Sequence, residues 1–132
     1  MTALFLLLTS LLATNPTPVA DQAPQSLQEV CTAVGNGDVD ALVAAMGTEL
    51  ELSILEEEDV FDTAAAAAAL RSFYGKLGKT SFGKVHQGAS KADDAEYCIG
   101  TLTTEKGSYR VYVYVAKKGS GIVLQELRFD PS

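Results

Sequence analysis

Apolar side chains along this chain recur first at every third or fourth position, then at every second, then at helical spacing again, and finally in a strand-like pattern through four segments. Ser26-Leu27-Gln28-Glu29 matches a capping box, in which the serine hydroxyl and the glutamate carboxylate each take an orphan amide of a first helical turn. Leu27, Val30, Cys31 and Val34 then form one apolar stripe, and Gly35-Asn36-Gly37 supplies a left-handed stop. Asp38 caps a second short helix, with Val39, Leu42, Val43 and Met46 on its stripe. From Thr48 the period is two: Leu50, Leu52 and Ile54 alternate with Glu49, Glu51 and Ser53, as in a half-buried strand. Glu56-Glu57-Glu58-Asp59 reads as an acidic loop, and Asp62 or Thr63 caps a third helix running through six alanines to Leu70, Phe73, Tyr74 and Leu77.

After Gly78 four strands are expected, Ser81 to Gln87, Glu96 to Thr103, Tyr109 to Ala116 and Ile122 to Phe129, joined by polar turns, the last two of which contain glycine. The order helix, helix, strand, helix and four strands specifies an α+β domain with three helices on one face of an antiparallel sheet. A two-residue loop at Lys106-Gly107 would place Cys98, Gly100, Leu102 and Thr104 on one face with Tyr109, Val111, Val113 and Val115, and that face is the expected core. An odd-length final turn adds Val123, Leu127 and Phe129 to it. Arg110, Tyr112, Tyr114, Leu124, Glu126 and Arg128 are then left together on the opposite, unusually aromatic face.

Residues 1–20 read as a signal peptide. The apolar run Leu4 to Ala13 has the length of a signal core and is too short to span a bilayer, and Val19-Ala20 offers a cleavage point. Residues 21–25 form a short linker and residues 26–130 a single domain. The mature chain is therefore expected to be exported, to the periplasm or the exterior, with no transmembrane segment. A net charge of −7 argues against sequence-independent nucleic-acid binding. All ten basic residues lie from Arg71 onward and eleven of the seventeen acids at or before Asp62, an asymmetry read as complementarity within one domain rather than a nucleic-acid face.

Local wording adds a resemblance. Glu51-Leu52-Ser53-Ile54-Leu55, Phe73-Tyr74, the stretch Val85 to Lys91, Tyr97-Cys98-Ile99-Gly100-Thr101-Leu102, Tyr109-Arg110-Val111-Tyr112 and Gln125-Glu126-Leu127-Arg128-Phe129 are similar to a family of small exported proteins, mostly of Bacteroidetes-type bacteria, known only as a domain of unknown function. With the element order, this likeness implies the nuclear-transport-factor-2-like, or cystatin-like, cone, in which helices close over the concave face of a curved antiparallel sheet. It covers nearly all of residues 26–130 and brings no catalytic residues with it.

Few residues offer chemistry. His86 is the sole histidine, which removes histidine pairs and histidine-rich metal sites and leaves a lone base. Cone-shaped isomerases and cyclases set an acid or histidine in an apolar cavity, whereas this chain has few carboxylates at core positions. A strand-end role, tying down the Gly88-Ala89-Ser90 turn, is the plainer reading of His86. The acidic run lacks the alternation of a calcium loop, so no metal site and no cofactor is expected. Cys31 and Cys98 lie on the helix stripe and on the core face of a strand, so they can meet where helix covers sheet, either as a disulfide or as two packed thiols.

The expected function is accordingly a non-catalytic envelope module. It would bind a small apolar ligand in the cone or an envelope protein on the outer sheet face, through Arg110, Tyr112, Tyr114, Glu126 and Arg128; in cone-fold relatives that face also serves homodimers. The alternative is a small isomerase, cyclase or dehydratase using His86.

Overall fold

The computed structural model describes residues 23–132; the expected signal peptide, residues 1–20, lies outside them. Three helices, α1 (Leu27–Asn36), α2 (Val39–Ala45) and α3 (Thr63–Gly75), accompany six strands: β1 (Met46–Ile54), β2 (Glu57–Asp62), β3 (Thr80–Ser90), β4 (Ala95–Thr104), β5 (Gly107–Lys118) and β6 (Gly121–Pro131). The helix ends follow the expected chemistry. Ser26 Oγ accepts the Glu29 amide at 3.2 Å, Glu29 Oε1 accepts the Gln25 amide at 3.1 Å, and Gly37 closes α1 with a φ of 65°. Asp38 and Asp62 cap α2 and α3 by accepting the amides of Ala41 and Ala65.

The sheet order is β2-β1-β6-β5-β4-β3. Every neighbouring pair is antiparallel except β1 and β6, which run parallel, so the expected purely antiparallel sheet is a mixed one. The acidic segment is not a loop. Leu55 and Glu56 make a turn, and Glu57–Asp62 returns along β1 as an edge strand whose carboxylates stay in water. Its backbone pairing overrides weak strand propensity, and its charge guards an open edge.

Register explains the remaining differences. The β4–β5 loop is Glu105-Lys106, with Thr104 opposite Gly107, so the pairing is displaced by two residues from a Lys106-Gly107 loop. An even displacement preserves faces, and Cys98, Gly100 and Leu102 still share the interior with Tyr109, Val111 and Val113. The β5–β6 turn is not odd in length but the pair Gly119-Ser120, with Lys118 opposite Gly121, and such a turn alone would send Glu126 and Arg128 inward. An extra residue in β6, Gln125, offsets it by separating Glu126, opposite Tyr114, from Leu124, opposite Val115. Together the turn and the bulge move Leu124 from the expected outer face into the core and leave Val123 only half-buried.

The helices cover one sheet face. Leu27, Val30 and Val34 of α1, Val39 and Leu42 of α2, and Ala66, Leu70 and Phe73 of α3 pack on Leu50, Leu52, Leu102, Val111, Val113, Leu124, Leu127 and Phe129. Inside the cone Phe129 meets Phe73 at 4.8 Å between ring centroids and Tyr74 at 5.9 Å, and Phe73 meets Tyr109 at 5.4 Å. These rings pack against one another between α3 and the sheet. Tyr74 spends its hydroxyl on the Val34 carbonyl at 2.7 Å, and burial pushes the phenol above its ordinary range.

Candidate functional site

With the helices on one side, alternation sends every second residue of β3 to β6 to the other face. There β5 pairs with β6 so that Arg110 faces Asp130, Tyr112 faces Arg128 and Tyr114 faces Glu126. The five residues expected on one surface are therefore neighbours on it. Tyr112 lies opposite Ile99 of β4, and Tyr114 opposite Tyr97.

The rings form a row across three strands. Centroids are separated by 5.7 Å from His86 to Tyr97, 6.0 Å from Tyr97 to Tyr112 and 6.4 Å from Tyr112 to Tyr114, the last pair stacked. Two local devices assemble it. The extra residue Val85 bulges β3 between Lys84 and His86 and aligns His86 with Ile99 on the outer face. Gly88 faces Tyr97, and a Cβ there would come within 2.5 Å of the tyrosine hydroxyl, so the glycine makes room for the ring to lie across β3.

His86 therefore lies mid-strand, exposed, with Nε2 3.3 Å from the Tyr97 hydroxyl, and the turn after it falls at Lys91 to Asp94 rather than Gly88 to Ser90. It stands on the opposite side of the sheet from the cone, so a catalytic base in an apolar pocket is not what its position offers.

Beside the rings is an acidic groove of about 230 Å³, lined by Glu51, Ser53, Glu58, Asp59, Glu126 and Arg128. The parallel β1–β6 pairing sets Glu51 against Glu126 and Ser53 against Arg128. Arg128 reaches Glu58 at 3.2 Å and Glu126 at 3.7 Å. One guanidinium thus serves several carboxylates. Partial burial, and then the charge of Glu51, hold the Glu126 carboxyl above its ordinary range, against the opposing pull of Arg128. Burial, followed by the charge of Glu126, likewise raises the Tyr112 phenol.

A carboxyl raised in this way binds its proton more tightly in the folded state, so the stability it contributes is present below the unfolded pKa and lost as pH rises through the folded one. Glu126→Gln should therefore raise the melting temperature at about pH 7, with the gain shrinking at about pH 4. Thermal denaturation of both proteins at the two pH values checks this. An equal shift at both would refute the raised carboxyl that burial and Glu51 give Glu126.

Sequence reasoning placed Arg110, Tyr112, Tyr114, Glu126 and Arg128 but missed Tyr97, Ile99, Glu51 and Glu58. The alternation that puts Cys98 and Gly100 inside puts Tyr97 and Ile99 outside, so those two carried a usable signal. Glu51 and Glu58 arrive only through the pairing of β1 with β6.

A second groove, of about 560 Å³, opens at the mouth of the cone between Leu55, Ala69, Phe73, Lys76 and Pro131. Its lining is mixed, with Glu56, Glu57 and Lys76 beside these apolar residues. No helix among the described residues is long and apolar enough to cross a membrane.

The family model of a domain of unknown function, DUF4783, matches residues 27–130. Among solved structures, a DUF4783 family protein from Bacteroides ovatus is 28% identical with a TM-score of 0.73, over 83% of this chain and 98% of that one. One from Bacteroides uniformis is 26% identical with a TM-score of 0.72, over 80% and 96%. An NTF2-like protein of unknown function from Pseudomonas putida, 14% identical with a TM-score of 0.61 over 79% of this chain and 80% of that one, shares the fold alone. No curated protein matches the sequence.

Proposed function

This chain belongs to the DUF4783 family and has an NTF2-like fold, and from that premise we propose that it is an exported, non-catalytic interaction module whose outer sheet face docks a protein partner carrying basic side chains. The observation that carries this reading is the row of rings from His86 to Tyr114 lying beside an acidic groove on the face that no helix among the described residues covers. Tyrosines stiffened by stacking lose little entropy on binding and bury much area, and tyrosine and arginine are the residues that anchor interfaces. The carboxylates of Glu51, Glu58, Asp59 and Glu126 outnumber the one arginine that lines the groove with them, so a further cationic side chain would complement it. Two copies of a chain with net charge −7 repel each other, which favours a different partner over self-pairing. Export rests on the apolar run Leu4 to Ala13.

The test is photo-crosslinking in the native host, with a photoreactive residue at Tyr112 and, as control, at Ala68 on the exposed side of α3. The expected result is a discrete adduct with one other protein at Tyr112 and none at Ala68. With that partner in hand, Tyr112→Ala combined with Tyr114→Ala should weaken binding by about tenfold or more while the melting temperature stays near that of the parent. Adducts at both positions, or an adduct made only of two copies of this chain, would overturn the proposal.

A further inference from the structure

Cys31 of α1 and Cys98 of β4 are the chain's two cysteines, and they meet where α1 covers the sheet. Both are buried free thiols, and their sulfur atoms lie 2.6 Å apart, in direct contact. Their surroundings differ. Cys98 is 0% exposed, whereas Cys31 lines two adjoining surface grooves of about 190 and 310 Å³, bounded by Thr32 and Phe82, with Lys84 of β3 at the rim of the smaller.

We infer that Cys31 and Cys98 form an oxidative cross-link between α1 and β4, made by thiol–disulfide exchange that enters through the groove at Cys31. The co-reactant is a disulfide, either of a small thiol such as glutathione or of a thiol-oxidising protein. The Cys31 thiolate attacks one sulfur of that disulfide, forming a mixed disulfide and expelling the other sulfur as a thiolate. Cys98 then gives up its proton and attacks Cys31 Sγ, completing the internal bond and releasing the second sulfur as a thiolate. Two protein thiols are oxidised and one external disulfide is reduced to two thiols.

The division of roles follows from charge and access. Cys31 is held below its ordinary range by the contact with Cys98 and, against burial, by Lys84, whereas the contact with Cys31 and then burial push Cys98 up. The bond would join residues 67 positions apart, and a loop of that length removes much freedom from the unfolded chain. The inference stands independently of what docks on the outer face, which lies across the sheet.

The experiment equilibrates the folded full chain with reduced or oxidised glutathione, denatures it, and blocks free thiols with an alkylating reagent before intact-mass measurement. The oxidised sample should carry no alkyl groups and be lighter by two hydrogens than the unblocked reduced chain. The reduced sample should carry two alkyl groups. The oxidised form should melt roughly 10–20 °C higher, and a reductant should erase the difference. Two alkylated cysteines after oxidation would overturn the cross-link.

The order of attack is read separately. Folded Cys98→Ser should accept glutathione at Cys31, and folded Cys31→Ser should leave Cys98 unmodified. Acid-quenching the parent during oxidation, followed by peptide mapping, locates the mixed disulfide without any variant, and finding it on Cys98 would overturn entry through Cys31. Lys84→Gln should slow closure several-fold relative to Lys79→Gln, and equal rates would remove Lys84 from the step.

Discussion

Truncating Phe129 to alanine is expected to destabilise the domain by about 3–5 kcal/mol, as losses of large buried aromatics do. The side chain is fully buried, and its strand neighbours are Val111 on β5 and Ile54 on β1. Phe73 and Tyr74 of α3 hold its faces and edges, so the change deletes ring contacts as well as buried area and opens a void that α3 cannot collapse to fill. A domain of this size has about 5–15 kcal/mol in all, so this loss takes a large part of it. In urea denaturation the midpoint should fall by roughly 2 M with the slope unchanged. A loss below about 1 kcal/mol would show that the cone is not packed around Phe129.

Gly100→Ala should cost about 3 kcal/mol, although it adds a single methyl group. A Cβ at this position would run into the Phe82 ring and come within 2.5 Å of the Gly83 carbonyl oxygen. The ring can rotate away, but the carbonyl belongs to the backbone of the neighbouring strand. The double variant with Phe82→Ala separates these causes, since it should recover only part of the loss in a denaturation cycle. Full recovery would assign the cost to the ring alone, and no loss in the single variant would refute the tight β3–β4 approach.

Phe129 lies inside because the bulge at Gln125 offsets an even final turn, a compensation that no residue of the turn announces. Gly100 was legible as interior, because alternation within a strand depends only on adjacent residues. The helix caps were readable for the same reason: Ser26, Asp38 and Asp62 each act within three residues of themselves. The features that escaped were non-local or depended on one inserted residue. Gln125 and Val85 each shift the alternation of their strand by one position, and nothing in their side chains announces a bulge. β2 escaped because four acids in succession look like a loop until β1 lies alongside to pair with them. The candidate surface divides along the same line. Tyr112 and Tyr114 were found by counting along β5, and Glu51 depends on a parallel pairing between segments more than seventy positions apart.

That parallel pairing also sets a schedule for synthesis. β6 lies between β5 and β1, so the β1–β2 hairpin has no place in the sheet until Gly121–Pro131 has left the ribosome. Until then Leu50 and Leu52 lack the strand beside which they are buried, and the early helices have only part of their floor. The sheet of the nascent chain is therefore complete only once its last described strand is available to join β1 to β5, so a chain stopped before Gly121 would leave the two halves of the sheet without their shared neighbour.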